Sequence, residues 1–322
     1  MLGRDSSFEK HLDQLVIEAL KGQSSPVLFH YTTEAGLRGI LKDRYVRATS
    51  HRSTEDEREI VAADGLIRDV VRDLQACRSG LQARTCSSLL RRGYDGDDLK
   101  FSKAITVYIA CFSPSGHMAS QWRKFAGKGT GFCLGFRDSN LVEPPADADV
   151  LVASFPVVYD RRVQVRQVAR TFEKVLDAQA QFVAKHSCLG LHAQRELADD
   201  AERIAVRAMF RMAAMFAMQT KTEDFASEKE WRLLAVINPA SEGRVRAEDE
   251  RGSKPWLPID LRHPRQLPLM DCVLVGPHAP IGSEDLVREL LHEHGYDRQI
   301  PSPRVQRVRL ADRYTSTSNG LL

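Results

Sequence analysis

Apolar positions in this chain alternate between helical spacing and short β-prone runs. Between Phe8 and Leu20, the residues Leu12, Leu15, Val16 and Leu20 share one helical face, and Gly22 followed by Ser-Ser-Pro supplies a stop. Val27 to Tyr31 is a β-prone run, and Thr33 to Leu41 returns to helical spacing, so His30 and Tyr31 sit where a strand hands over to a helix. His51 to Asp64 is dominated by charge and predicts a surface loop, after which Leu66, Val70, Val71 and Leu74 resume a helical period. Strands are predicted over Ala104 to Phe112, Gly131 to Phe136, Val150 to Tyr159, Glu230 to Ile237 and Cys272 to Gly276. Short helices are predicted at Gln121 to Phe125 and Ser283 to Glu293.

The stretch from Val163 to Met218 is rich in Ala, Gln, Glu and Arg, with Gly190 as its internal break, and reads as two helices inserted between strands. Strands interrupted by irregularly placed helices predict an α+β fold, not a regular βαβ alternation. The domain reading is an N-terminal helix over residues 1–24, one domain over 25–312 carrying a helical insertion at about 163–218, and a flexible tail over 313–322.

Composition narrows the class. The chain has 322 residues, of which 43% are apolar and 28% charged, enough to build a full-sized core. A net charge of +3 does not by itself point to a nucleic-acid coat or a membrane surface. The first residues mix charge through every turn, which predicts neither a signal peptide nor a membrane span and makes the cytoplasm the expected location. Cys77, Cys86, Cys111, Cys133, Cys188 and Cys272 are widely separated, which predicts reduced, mostly buried thiols and no metal set. His292, Glu293 and His294 likewise have no metal-binding spacing.

Several chemistries are disfavoured by missing motifs: there is no Walker loop, no G-x-G-x-x-G after a strand, no H-E-x-x-H and no G-x-S-x-G. Gly127-Lys128-Gly129-Thr130-Gly131 is glycine-rich but precedes a strand and lacks Walker spacing. Two segments carry possible chemistry. His30-Tyr31-Thr32 ends an apolar strand, where a histidine can bond ribose hydroxyls and an aromatic can stack on a heterocycle; a satisfied core His and Tyr is the other reading. Glu228 and Glu230 lead into a strand and, if extended, face one way, either as a solvated pair or as a carboxylate site that stabilises developing positive charge. Arg232 is expected to pair with one of them or to orient a diphosphate. Trp122 and Trp231 read as core anchors, and Arg161, Arg162, Arg166 and Arg170 as a solvated helix face or a phosphate contact.

Taken in order, the segments LFHYTTEAGLRGIL, YIACFSPSGHMASQWRKFAGKGTGFCLGF, KTEDFASEKEWRLL and CVLVGP resemble a bacterial family catalogued as a domain of unknown function. Its pattern runs HYT, CFS, W-x-x-Y-A, a glycine-led strand, and E-x-E-x-R. That family in turn resembles the ADP-ribosyltransferase superfamily, whose split β-sheet cleft holds NAD as substrate. The resemblance spans most of residues 27–311 and implies a set of roles. His30 would hold the adenosine-side ribose, with Thr32 and Arg232 among the NAD contacts, and Tyr31, Trp122 or Phe125 would pack on a ring. Ser113 would brace the glutamate strand, Glu230 would be the catalytic glutamate, and Glu228 would stand near the acceptor.

The chemistry suits these residue types, because breaking the nicotinamide–ribose bond builds positive charge that a carboxylate favours. The leaving group departs neutral, so orientation matters more than proton donation. Such a protein would modify a protein or nucleic-acid acceptor, as a toxin or phage-defence effector with an antitoxin or regulatory partner; hydrolysis of NAD and binding without turnover are the alternatives. The chain departs from the family where Phe125 replaces a common Tyr, and where Thr54 to Glu59 keeps Asp56 and Glu59 but lacks the family's Asn. His30 and Glu230 lie about 200 residues apart, so their meeting in space is itself an expectation.

Overall fold

A computed structural model describes residues 6–20, 27–51, 57–94, 107–137, 150–237, 255–261, 270–298 and 301–309. The chain is α+β, with two sheets among the described residues. The first contains β1 (Leu28–Thr32), β4 (Phe132–Phe136), β8 (Met270–Val275) and β9 (Arg304–Arg307), in the order β1-β4-β8-β9. The second contains β5 (Val150–Pro156), β6 (Trp231–Ile237), β3 (Val107–Phe112), β2 (Tyr45–Ser50) and β7 (Trp256–Asp260), in that order. All pairings are antiparallel except β8 with β9.

Alternation along the strands divides the interior into layers. Tyr108, Ala110 and Phe112 of β3 and Leu233 and Ala235 of β6 pack with Leu28, Leu134 and Phe136 of the first sheet. This core also takes in α2 (Glu34–Asp43) and α8 (Ser283–Glu293). The opposite row of the second sheet, Val107, Ile109 and Leu234, packs beneath a helical layer made of α1 (Ser6–Leu20), α3 (Glu57–Cys77), α4 (Gly80–Tyr94), α6 (Arg161–Lys185) and α7 (Leu191–Gln219). A small third cluster joins Tyr31, Cys133 and Leu274 to Trp122 of α5 (Ala119–Phe125).

Local sequence accounts for the helices that frame the site. Thr33 caps α2 by accepting from the Gly36 N–H, and Arg44 ends that helix in the left-handed region at φ 57. Asp160 caps α6 by accepting from the Arg162 and Val163 N–H groups at 2.7 and 3.0 Å. Gln164, Val168, Phe172 and Leu176 then bury one face of α6. The last turns of α7 are buried on all sides, from Met212 to Gln219, which is why that sequence is apolar without periodicity.

The structure departs from the sequence reading in several elements. Residues 57–64 open α3, so the charged stretch is helical from Glu57 onward and not a loop; its residues 52–56 lie outside the described residues, as do the stop after Leu20 and the tail. Helices α6 and α7 occupy the stretch in which an insertion was expected. Strands β2, β7 and β9 and helix α4 add to the predicted elements. Among the described residues, no helix is long and apolar enough to cross a membrane.

Candidate functional site

The two sheets are stitched where the Phe29 and Ser113 backbones exchange N–H···O bonds of 2.8 Å in each direction. Just before that stitch lies Cys111, in register with Arg232 of β6. The row Val107, Ile109, Cys111 faces the helical layer, but the helices cover only the first two, and the Cys111 thiol is exposed. Cys111 is therefore an exposed residue at the end of a central strand. The expectation of mostly buried thiols holds for Cys86, Cys133 and Cys272, while Cys77, Cys111 and Cys188 are exposed; all six are free.

Glu230 lies immediately before β6, contacts the Cys111 thiol and is only 6% exposed. Its Oε1 accepts from Arg232 Nε at 2.8 Å and from Cys111 Sγ at 3.0 Å, while its Oε2 lies 2.7 Å from Lys221 Nζ. Its backbone N–H donates to the Tyr159 hydroxyl at 2.8 Å. Arg232 also donates to the Met218 carbonyl at 2.7 Å, where the negative end of the α7 dipole favours a cation. Lys221 follows α7 and is pinned by its N–H to the Val158 carbonyl and by Gln164 Nε2, which donates to the Lys221 carbonyl at 2.9 Å.

Glu228 joins the same network, with Oε2 2.9 Å from Lys221 Nζ and Oε1 2.8 Å from Lys124 Nζ. Residues 223–228 form a 3-10 helix and Lys229 takes a left-handed conformation at φ 44, so the two glutamates are not neighbours along one extended strand. They meet because Lys221 bridges them. Gln121 Nε2 donates to the Glu228 carbonyl at 3.0 Å, tying α5 to this turn.

Three cations around two carboxylates fix the protonation states. Burial would raise the Glu230 carboxyl, but the charge and hydrogen bond of Arg232, then Lys221 and the Cys111 thiol, hold it at about 2. Glu228 is also held low, hydrogen bonds from Lys124 and Lys221 outweighing its burial. Lys221 is raised by Glu230 against the opposing effect of burial. Dense surrounding protein pushes the Cys111 thiol up, and the Glu230 charge adds to that push. Burial lifts the Tyr159 phenol to about 12. At neutral pH Glu230 is therefore a fixed anion, suited to accepting a hydrogen bond or stabilising positive charge and unsuited to shuttling protons.

His30 reaches Cys111 from the other side. Its Nδ1 lies 3.0 Å from the Cys111 carbonyl and its ring 5.4 Å from Phe112. A carbonyl partner assigns the proton to Nδ1, and burial lowers the ring's pKa, so the neutral ring carries an acceptor at Nε2. His30 and Glu230 both contact Cys111 but from opposite sides, His30 at its carbonyl on the inter-sheet side and Glu230 at its thiol on the helix-facing side, and they do not touch each other among the described contacts.

The remaining predicted residues lie elsewhere. Tyr31 is buried, donates to the Ser115 carbonyl at 2.7 Å and packs edge-on against Trp122 at 5.0 Å. Trp122 is 1% exposed and donates to the Gly116 carbonyl at 3.0 Å, so both rings are spent on the small third cluster. Thr32 pairs with Phe132 in the first sheet. The Ser113 hydroxyl sits 3.0 Å from Met118 Sδ and its backbone braces β1, not the glutamate strand. Phe125 is exposed and lies 5.0 Å from the Lys124 ammonium, which links it to Glu228. In the 127–131 loop, the N–H groups of Gly129, Thr130 and Gly131 are already bonded to Ala126 and Gly127 carbonyls, which leaves none of the three for a phosphate. Among the described residues, no group of three His, Cys, Asp or Glu is placed to hold a metal ion.

Sequence reasoning passed over Lys221, Tyr159 and Cys111. Lys221 stands in the quoted KTEDFASEKEWRLL segment, but no local pattern distinguishes it from a surface lysine.

A family model described as a protein of unknown function (DUF2971) matches residues 121–233. The matched stretch contains Trp122, Tyr159, Lys221 and both glutamates, so it covers most of the charged network but neither His30 nor Cys111. No curated protein and no solved structure matches the chain. None of these comparisons links it to the ADP-ribosyltransferases.

Proposed function

We propose that this chain is an NAD-using ADP-ribosyltransferase with a divergent split-sheet core, acting on a macromolecular acceptor in the manner of a toxin or phage-defence effector. The observation that carries the reading is that a fixed Glu230 anion and a neutral His30 both contact Cys111, at its thiol and its carbonyl, beside the stitch between the sheets. In this reading NAD spans the end of β3. His30 accepts from one ribose through Nε2, and Glu230 accepts from the nicotinamide-side ribose. The thiol is the weakest of the three donors on Glu230 and the solvent-facing one, so a ribose hydroxyl can replace it without breaking either ion pair. Phe125 is the accessible aromatic of the three considered, and Glu228 with Lys124 forms the rim on its side.

As the carbon–nitrogen bond to nicotinamide breaks, its electron pair leaves with the ring. The charge that grows on the ribose is stabilised by Glu230. An acceptor oxygen or nitrogen forms the new bond, and any proton it carries passes to solvent.

Binding without turnover has one observation in its favour, since ion pairs engage both Glu230 oxygens. Incubation with adenine-labelled NAD and a cell lysate separates the readings. Transfer of label to a macromolecule, lost in Glu230→Gln, supports the transferase; free ADP-ribose alone identifies a hydrolase; and retention of intact NAD with neither product identifies a binding protein.

A further inference from the structure

Helix α6 carries Arg162, Arg166, Arg170 and Lys174 at four-residue steps, and all four are exposed. Residues four apart form a continuous ridge on a helix surface. Each step advances about 6 Å, so the ridge runs for about 18 Å. Like charges at this spacing repel one another along a helix. None of the four has an acidic partner among the described residues, whereas nearby acids are committed: Glu173 and Asp177 to Arg78, Asp69 to Arg161, and Asp160 to the helix cap. A row of uncompensated cations on an otherwise well-paired helix calls for an extended anion.

The ridge begins at the site. Gln164, in the same turn as Arg162, holds the Lys221 carbonyl, and Tyr159, three residues before Arg162, holds the Glu230 N–H. The aromatic of this stretch, Phe172, is fully buried, so the ridge offers charge without a stacking platform for unpaired bases. Charge alone at regular spacing reads a backbone and not a sequence.

We infer that this ridge docks a double-stranded nucleic acid through its phosphates. Resting on the transferase reading, the same duplex is then the acceptor that the site modifies. Docking itself stands without that reading.

Fluorescence anisotropy with a labelled 20-base-pair DNA duplex tests this over a range of salt concentrations. Four phosphate contacts predict a slope of about −3.6 for log affinity against log salt, a loss of roughly 150-fold between 50 and 200 mM. Replacing all four residues with Gln should abolish most of that slope, while Arg162→Lys, Arg166→Lys and Arg170→Lys together, with Lys174 intact, should retain it because charge is kept. The circular dichroism and urea stability of both multiple variants should match wild type, since the positions are exposed. Absence of duplex binding at 50 mM salt overturns the inference, as does an unchanged slope in the Gln variant, or tighter binding of a single strand of equal length. If duplex binding depends on the ridge but NAD is never consumed, the transferase reading alone falls; if label passes to protein equally well in the Gln variant, the acceptor inference falls and the transferase stands.

Discussion

Replacing Glu230 with Gln removes a charge that Lys221 and Arg232 share, and its effect on stability can be worked from the geometry. The carboxyl is held at about 2 in the folded chain against an ordinary 4.5, because Arg232 at 2.8 Å and Lys221 at 2.7 Å outweigh its burial. At about 1.4 kcal/mol per pH unit, that depression corresponds to about 3 kcal/mol of folding stability. The folded value lies below the unfolded one, so this contribution is complete above about 4.5 and is lost as pH falls toward 2. Removing one partner of a buried ion pair costs roughly 3–5 kcal/mol. Gln keeps the shape and one acceptor, and Lys221 keeps Glu228, so Glu230→Gln should destabilise by about 2–3 kcal/mol at pH 7. The gap to wild type should then shrink by about 2 kcal/mol between pH 4.5 and 3. Urea denaturation, followed by fluorescence of the buried Trp122, Trp231 and Trp256, measures both quantities. A gap that stays constant with pH would refute the claim that Glu230 is a stabilised buried anion.

Cys111 should alkylate slowly at pH 7 despite its exposure, because its thiol is pushed up, and faster in Glu230→Gln, which removes the raising effect of the Glu230 charge; equal rates by peptide mass spectrometry would contradict this. The His30 ring should titrate below 6.5 by NMR, with its resonance assigned from a His30→Gln variant, and protonation should destabilise the fold as pH falls through that lowered value; titration at or above 6.5 counts against the neutral-acceptor role. Gly131→Ala would place a Cβ 2.4 Å from the Thr32 carbonyl oxygen and 3.0 Å from the Ala126 backbone, and should cost about 1–3 kcal/mol in urea denaturation. Gly39→Ala in α2, where an added Cβ meets nothing within 4 Å, should instead stabilise by about 0.5–1 kcal/mol, and the reverse order would disprove the close-approach argument.

What the sequence discloses of this fold follows the strength of local signals. Largely buried strands such as β3 and β4 stand out as apolar runs, whereas β2 (YVRATS) hides its Val46, Ala48 and Ser50 inward row among polar neighbours. β7 contains Pro258, tolerated because β7 is an edge strand, and β9 is a charged edge strand of four residues. At the site, the glutamates and Arg232 are adjacent in sequence and readable as a group. The residues that fix their charge are not: Cys111 is brought to Glu230 by the β3–β6 register, and Tyr159 by the bond that follows β5. Lys221 lies close by in the chain, but its burial depends on α6 and α7 closing over it, through Gln164. Tyr31 illustrates the converse, a residue prominent in a motif whose ring is consumed by packing on Trp122.

Nicotinamide release from NAD by the purified chain, measured beside Glu230→Gln and His30→Ala variants that retain a cooperative urea transition, tests the central claim most directly. Wild type should release nicotinamide, Glu230→Gln should lose that release, and His30→Ala should show a raised KM. Release that persists undiminished in Glu230→Gln, or no release by wild type with or without nucleic acid and lysate, would contradict it.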